Sequence, residues 1–361
     1  MRRGPAAGAA DGPARSRRDA LERVEALAPV VGRDATVPVL RRGLSDPHHL
    51  VRKAASTALK ALHPGGPGGD PTPYRLMFQS DAPDVGRGAV DELVALATDA
   101  NAPDAAAKGL VVEALEASHA EVRAHALARL PSLYESGSLE PWLLALGSRF
   151  SDVRLQVVDR LVASTGGGAD DARISEALGR EMESEHVDLQ LKAATTLAFR
   201  GDPRTVGVLA GLLRNDRAQV VTAAQNALVA LARKQPEGDA PLRDEIAQAL
   251  VARFTDDPDG TANKPGLLKS IGDVRSLEAR PLLLTLLTEE NGDLWSQAMT
   301  AARSIAAGPS EKLPDGTQRL RFNESWLQPL LEAARRSVVA KVRKEVIAPL
   351  QHFEEASADA T

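Results

Sequence analysis

Val122-Arg123-Ala124-His125-Ala126-Leu127-Ala128-Arg129-Leu130 is one copy of the nine-residue phrase that decides the fold. Its pattern is apolar-x-x-x-Ala-x-x-x-Leu, often with arginine second, and it recurs at intervals of roughly 30–50 residues. Further copies are Val51-Arg52…Ala55…Leu59, Val153-Arg154…Val157…Leu161, Val220…Ala224…Leu228 and Val342-Arg343…Val346…Leu350. Looser ones start at Val85, Leu189, Gly260 and Leu294. Repetition at this period predicts an array of small units, each stacked on the next.

One whole unit can be read between residues 197 and 231. Gly201-Asp202-Pro203 separates two apolar runs in the order of a left-handed helix end, an N-cap and a first helical residue. Asn215-Asp216 makes a second, shorter turn before Val220. Each unit is therefore two antiparallel helices. With Val220 as position one, positions one, five, eight, nine and twelve share a face at about 100° per residue. A lone unit cannot bury that face, and stacking does. The small residue at position five lets neighbouring helices approach.

The phrase, with Gly-Asp-Pro-Arg between units, resembles the HEAT repeat in its short, PBS-lyase-like form, over about residues 17–352. The resemblance implies an all-α, right-handed α-solenoid of about nine helix pairs, the terminal pairs acting as caps. It implies no single activity. Members are mostly scaffolds and adaptors, and a minority are bilin lyases, deoxyhypusine hydroxylases or DNA glycosylases.

Composition narrows the chemistry. The 361 residues are 43% hydrophobic but only 3% aromatic, so Leu, Val and Ala must do the packing. The net charge of −5 argues against non-specific affinity for DNA or anionic membrane. The absence of cysteine excludes disulfides, thiolate metal sites and a thiol nucleophile. No apolar run approaches the roughly 20 residues that cross a bilayer. Met1-Arg2-Arg3 leads into no apolar core, so no secretory signal is read. The expectation is a cytoplasmic protein without membrane insertion.

Departures from the repeat mark boundaries. Residues 1–16 are expected to be a disordered tail, as are 353–361. Residues 16–27 read as a lone second helix, an N-terminal cap or the start of a chain cut from something longer. Flexible insertions are expected at 63–73, His63-Pro-Gly-Gly-Pro-Gly-Gly-Asp70-Pro-Thr-Pro73, and at 166–171. Neither carries the Gly-Lys-Ser/Thr ending of a phosphate loop. Across 308–324, Asp315-Gly316 sits between two short alternating runs, a hairpin signal and a candidate binding ornament.

Catalytic constellations are not evident. The di-iron hydroxylases of this fold carry His-Glu pairs, and this chain has none; His48-His49 and His186 read as isolated surface histidines. No catalytic residue, metal ligand or cofactor-binding residue is assigned, and no cofactor is expected. Basic residues cluster at opposite ends, Arg41-Arg42 with Arg52-Lys53, and Arg335-Arg336 with Lys341 and Arg343-Lys344. A nucleic-acid or acidic-partner binder through those ends is the alternative to a protein-binding scaffold; a bilin-lyase-like enzyme is a further one. Arg52, Arg123, Arg154 and Arg343 at position two read as structural, pairing with turn carboxylates such as Asp46 or Asp152.

Positions three, seven and ten lie opposite the core and are expected to face a concave groove. They are mostly polar at Lys53, Thr57 and Lys60, at Thr222, Asn226 and Val229, and at Ser296, Thr300 and Arg303. In the middle units they become Ala124, Ala128 and Pro131; Leu155, Asp159 and Val162; Leu191, Thr195 and Ala198. An apolar strip in a groove is what a partner helix or peptide needs. The candidate partner-binding residues are Ala128, Leu155, Asp159, Val162, Leu191 and Thr195, with Leu155 and Leu191 as anchors. A tightly curved array, or residues 166–173 folded over the strip, is the competing account.

Overall fold

The computed structural model describes residues 8–163, 169–235, 240–257, 263–288, 294–312 and 318–322. Contacts divide the chain into two units, Met1–Ala177 and Leu178–Thr361. The first holds α1 (Gly8–Val31), α2 (Arg33–Leu44), α3 (His49–Leu62), the single turn α4 (Gly66–Gly69), α5 (Thr72–Phe78) and α6 (Pro83–Ala97). It continues through α7 (Ala105–Glu113), α8 (Ala120–Arg129), α9 (Glu140–Ala145) and α10 (Ser151–Ala163). The boundary falls inside α11 (Ala169–Glu181). The second unit holds α12 (Val187–Arg200), α13 (Thr205–Leu212), α14 (Ala218–Lys234), α15 (Ala240–Thr255), α16 (Lys264–Val274), α17 (Arg280–Thr288) and α18 (Trp295–Ala306). A hairpin of β1 (Ala307–Lys312) and β2 (Gln318–Phe322) follows.

From α2 onward, α4 aside, these helices alternate as first and second members of the repeat among the described residues. The copy at Val342 lies outside those residues. Second helices stack on second helices: α1 on α3, α3 on α6, α6 on α8 and α8 on α10. The second unit repeats the rule with α12 on α14, α14 on α16 and α16 on α18. The core sits where the phrase puts it. Val51, Ala55 and Leu59 are buried, as are Val122, Ala126 and Leu130, Val153, Val157 and Leu161, Leu189, Ala193 and Leu197, and Val220, Ala224 and Leu228. Each buried Leu or Val contributes roughly 1.5–3 kcal/mol, so every rung adds several. The fold is an α-solenoid stacked pair by pair within each unit.

Serines at the turns join one pair to the next. Ser80 Oγ donates to the Leu44 carbonyl (2.9 Å), Ser118 Oγ to that of Phe78 (3.2 Å) and Ser148 Oγ to that of Leu115 (3.4 Å). Those carbonyls lie in the C-terminal turns of first helices, Leu115 in the 3-10 turn that continues α7, where a helix has no N–H donors of its own left for them. In the second unit Arg253 Nε caps the Leu213 carbonyl at 2.9 Å. Gln225, buried on α14, donates to the Gly266 carbonyl and to Ser270 Oγ, both at 2.7 Å, and so sets the register of α14 against α16.

The structure corrects three expectations. Helix α1 runs through most of the stretch read as a tail and buries Ala14, because its apolar side chains find α3. Residues 1–7 and 353–361 lie outside the described residues, as do 164–168. The 63–73 segment, expected as a flexible insertion, carries the one-turn helix α4 and the start of α5. Gly65 and Gly66, at φ 106° and 64°, reverse the chain; Pro67 is buried; His63 Nδ1 closes the turn on Asp70 Oδ2 at 2.5 Å. The copy read from Gly260 starts outside the described residues, and only its later part can be followed. Asn263 caps Gly266, and α16 begins at Lys264. Finally, position ten is buried on α12 and α14, at Ala198 and Val229. Positions six and ten are one helical turn apart, so they share the edge that Gln225 presses against α16.

Candidate partner-binding surface

Arginine at position two of one second helix reaches the residue before position one of the next. Arg52 Nη2 meets Asp84 at 2.6 Å, while its Nη1 donates to the carbonyls of Asp46 (2.7 Å) and Pro47 (2.9 Å). Arg123 repeats the arrangement with Asp152 at 2.8 Å and the carbonyls of Ala117 and Ser118. The Asp46 carboxylate goes instead to Arg17, at 2.7 Å. Where position two is Gly86, the Val122 side chain occupies the space a side chain there would need, and Arg87 one residue on takes Glu121 at 3.3 Å. Arg343 lies outside the described residues.

Further pairs cross the same seams. Lys60 meets Glu92 at 2.7 Å, Asp91 meets Arg129 at 2.8 Å and His125 at 3.0 Å, and Arg75 meets Glu113 at 2.7 Å. The Arg17 guanidinium holds the Asp46 carboxyl below its ordinary range despite burial working the other way. Burial also opposes the charge on Asp91, but His125 and Arg129 keep its carboxyl low. Arg75 lowers Glu113. Carboxyls depressed in the folded state stabilise it fully above their unfolded pKa and lose that contribution as pH falls through the folded value. The expected result is a melting temperature that is flat from pH 7 to 5 and drops below about pH 4. A circular-dichroism melt at pH 3 as stable as at pH 7 would contradict this.

On that scaffold the candidate residues fall in both units. In the first, Ala128 on α8 and Asp159 and Val162 on α10 are exposed, Val162 at 37%, and Leu155 is half-buried. In the second, Leu191 on α12 is half-buried. Thr195 is half-buried too, with its hydroxyl out of contact with solvent and no hydrogen-bond partner. The polar reading of neighbouring helices agrees with placement: Lys53, Thr57, Thr222, Asn226, Ser296, Thr300 and Arg303 are exposed. Among the exposed large apolar residues, one lies on the same helix as Leu191. Phe199, at the end of α12, is 52% exposed. It falls at position eleven, outside the positions expected to face a groove.

The basic end formed by Arg41, Arg42, Arg52 and Lys53 is partly spent, since Arg52 is bonded within the chain and Arg41 reaches Gln79. Its counterpart at 335–344 lies outside the described residues. The histidines serve as caps and pair members: His48 Nδ1 and His119 Nδ1 accept from the Leu50 and Glu121 amides. Among the described residues no three His, Asp or Glu side chains gather as metal ligands. None of the described helices is long and apolar enough to cross a membrane.

Comparison with known proteins gives the following. The HEAT repeat family matches residues 36–65, which are most of α2, all of α3 and the start of the 63–73 segment. No curated protein matches the chain. Among solved structures, an engineered protein is similar at 20% identity and a TM-score of 0.41, with 94% of each chain covered. Kap121p is similar at 14% identity and a TM-score of 0.37, over 93% of this chain. Kap121p bound to Pho4p gives the same values. The chain spans 43% of the length of Kap121p.

Proposed function

We propose that this HEAT-repeat chain is a non-catalytic scaffold that binds a segment of a partner protein along its second-helix face. The observation that carries the reading is the change of character along that face in the first unit. Lys53 and Thr57 on α3 give way to Ala128 on α8 and then to Leu155 and Val162 on α10. An apolar stretch on an otherwise charged surface is retained where something covers it. Leu155 and Val162 would anchor the segment, with Asp159 at the edge. Leu191 and Thr195 would contribute separately from the second unit.

The helices beneath are already stacked and ion-paired, so the scaffold would lose little freedom on binding. Residence in the cytoplasm belongs to the same proposal. The test places wild type beside a Leu155→Glu/Leu191→Glu variant as baits in lysate of the native host. A protein held by wild type and reduced at least about tenfold on a variant with an unchanged melting temperature supports the proposal. Equal retention by both baits overturns it.

A further inference from the structure

Helix α1 is a second helix with no first helix before it among the described residues. Read with Arg17 at position two, it carries Ala20, Val24 and Leu27 at positions five, nine and twelve. The same positions of α3 are Ala55, Leu59 and Leu62, all buried, with α2 packed on that helix. On α1 they are uncovered. Ala20 is exposed, Val24 half-buried and Leu27 50% exposed, and Val31, one turn on, is 56% exposed. A different line of α1, Ala14, Leu21 and Ala28, is the buried one, and Leu21 sits where a side chain at Gly43 of α2 would stand.

Helix α2 supplies a second wall. Gly43, Val39 and Ala35 follow one another at successive turns along the edge that meets Leu21. Val39 is 42% exposed, and Ala35 is exposed. The two helices thus present an apolar trough roughly 17 Å long, the span from Ala20 to Val31 along a helix axis. In every following unit a first helix covers the corresponding positions, so a helix is the shape that fits. Arginines stand on both rims. Arg23 on α1 and Arg42 on α2 are exposed, and neither meets a carboxylate among the described residues. Asp19 and Glu22 of α1 are taken by Arg18. Asp34 lies on the flank of α2 from which Arg41 reaches Gln79, away from the trough.

We infer that the trough between α1 and α2 docks an amphipathic helix of a partner protein, its apolar stripe flanked by acidic residues. Leu27, Val31 and Val39 would take the stripe, and Arg23 and Arg42 the carboxylates. Residues 1–7 of the chain itself suit the place poorly. They bring Arg2 and Arg3, and as a helix they would span only about 10 Å. A second copy suits it poorly too, because a two-fold pairing gathers the arginines of both rims at one seam. The surface is separate from the second-helix face that holds Leu155 and Val162.

The experiment uses the full chain and labelled, end-capped peptides of about 18 residues, read by fluorescence anisotropy. One peptide carries a leucine stripe at helical spacing with glutamates beside it. A second has lysines for the glutamates, and a third has serines for the leucines. The Leu/Glu peptide should bind at least about tenfold more tightly than either of the others and slow amide exchange between residues 20 and 39. A Leu27→Glu/Val31→Glu variant with an unchanged melting temperature should lose at least about tenfold for that peptide. The Leu155→Glu/Leu191→Glu variant should bind it as wild type does, which keeps this result apart from that of the scaffold test. Arg23→Glu/Arg42→Glu, at two exposed positions, should pass the preference to the Leu/Lys peptide. Equal binding of all three peptides, no binding, or a loss confined to the Leu155→Glu/Leu191→Glu variant would overturn the proposal. So would a wild-type dimer that Leu27→Glu/Val31→Glu abolishes.

Discussion

Replacing Arg123 with methionine is expected to cost the first unit about 3 kcal/mol, the lower end of what breaking a buried ion pair costs. The side chain is 9% exposed and is bonded on every side. Nη1 donates to the Ala117 and Ser118 carbonyls at 2.9 and 3.0 Å, Nη2 to Asp152 at 2.8 Å, and the guanidinium lies 3.9 Å from the Phe150 ring centre. Methionine fills much of the volume but leaves those acceptors without a donor. Asp152 keeps partial access to water, which holds the loss at the low end. Lysine should recover little of it, because a single ammonium cannot span both carbonyls and the carboxylate. Arg75→Met is the control: that pair with Glu113 is exposed on both sides, and its loss should be small beside that of Arg123. Urea unfolding of the three variants checks the order, and equal losses for Arg123→Met and Arg75→Met would refute it.

Gly272→Ala should cost about 1–2 kcal/mol, and Gly272→Leu about 3 or more, by overpacking the seam between α16 and α18. A Cβ at Gly272 would stand 2.8 Å from Ala301 Cα and 3.2 Å from its Cβ. The obstacle is backbone, so no rotamer change relieves it and the helices must part. Alanine recovers close to 1 kcal/mol through its better helix propensity, which is why its net loss is the smaller. Gly211→Ala on α13 should move stability the other way, by about 0.5–1 kcal/mol, since nothing lies within 4 Å of its would-be Cβ. Thermal melts with opposite signs at these two glycines are the expected outcome. A stabilised Gly272→Ala would show that the seam opens freely.

What could be read from residue order alone was whatever the helical period dictates. Val220, Ala224 and Leu228 announce a buried stripe by spacing, and so do their counterparts in the other copies. The partner of Arg52 was not legible that way. Asp46 and Asp84 are both aspartates near a second-helix start, and the choice between them depends on Arg17 reaching Asp46 from α1. Val229 was misplaced for a related reason. Its exposure depends on how closely α16 packs, and a helical wheel contains no neighbour. Gly65 and Gly66 look like flexibility in a sequence, but as two left-handed residues beside the His63–Asp70 contact they make a fixed turn. The candidate strip shares this difficulty. Leu155 and Leu191 differ from their counterparts by residue type, which sequence displays, while their half-burial is a property of stacking.

The serine bonds from Ser80, Ser118 and Ser148 all point backward along the chain, each to a pair made earlier. Arg52 and Arg123 wait in the same direction for Asp84 and Asp152. During synthesis, then, these three pairs are not finished when their own last residues leave the ribosome; the one behind each completes it. The newest end is always the least settled, and a truncation leaves its wound on the pair before the cut. Shortened versions of this protein would best end with a borrowed turn that supplies a serine and an aspartate to the last retained pair.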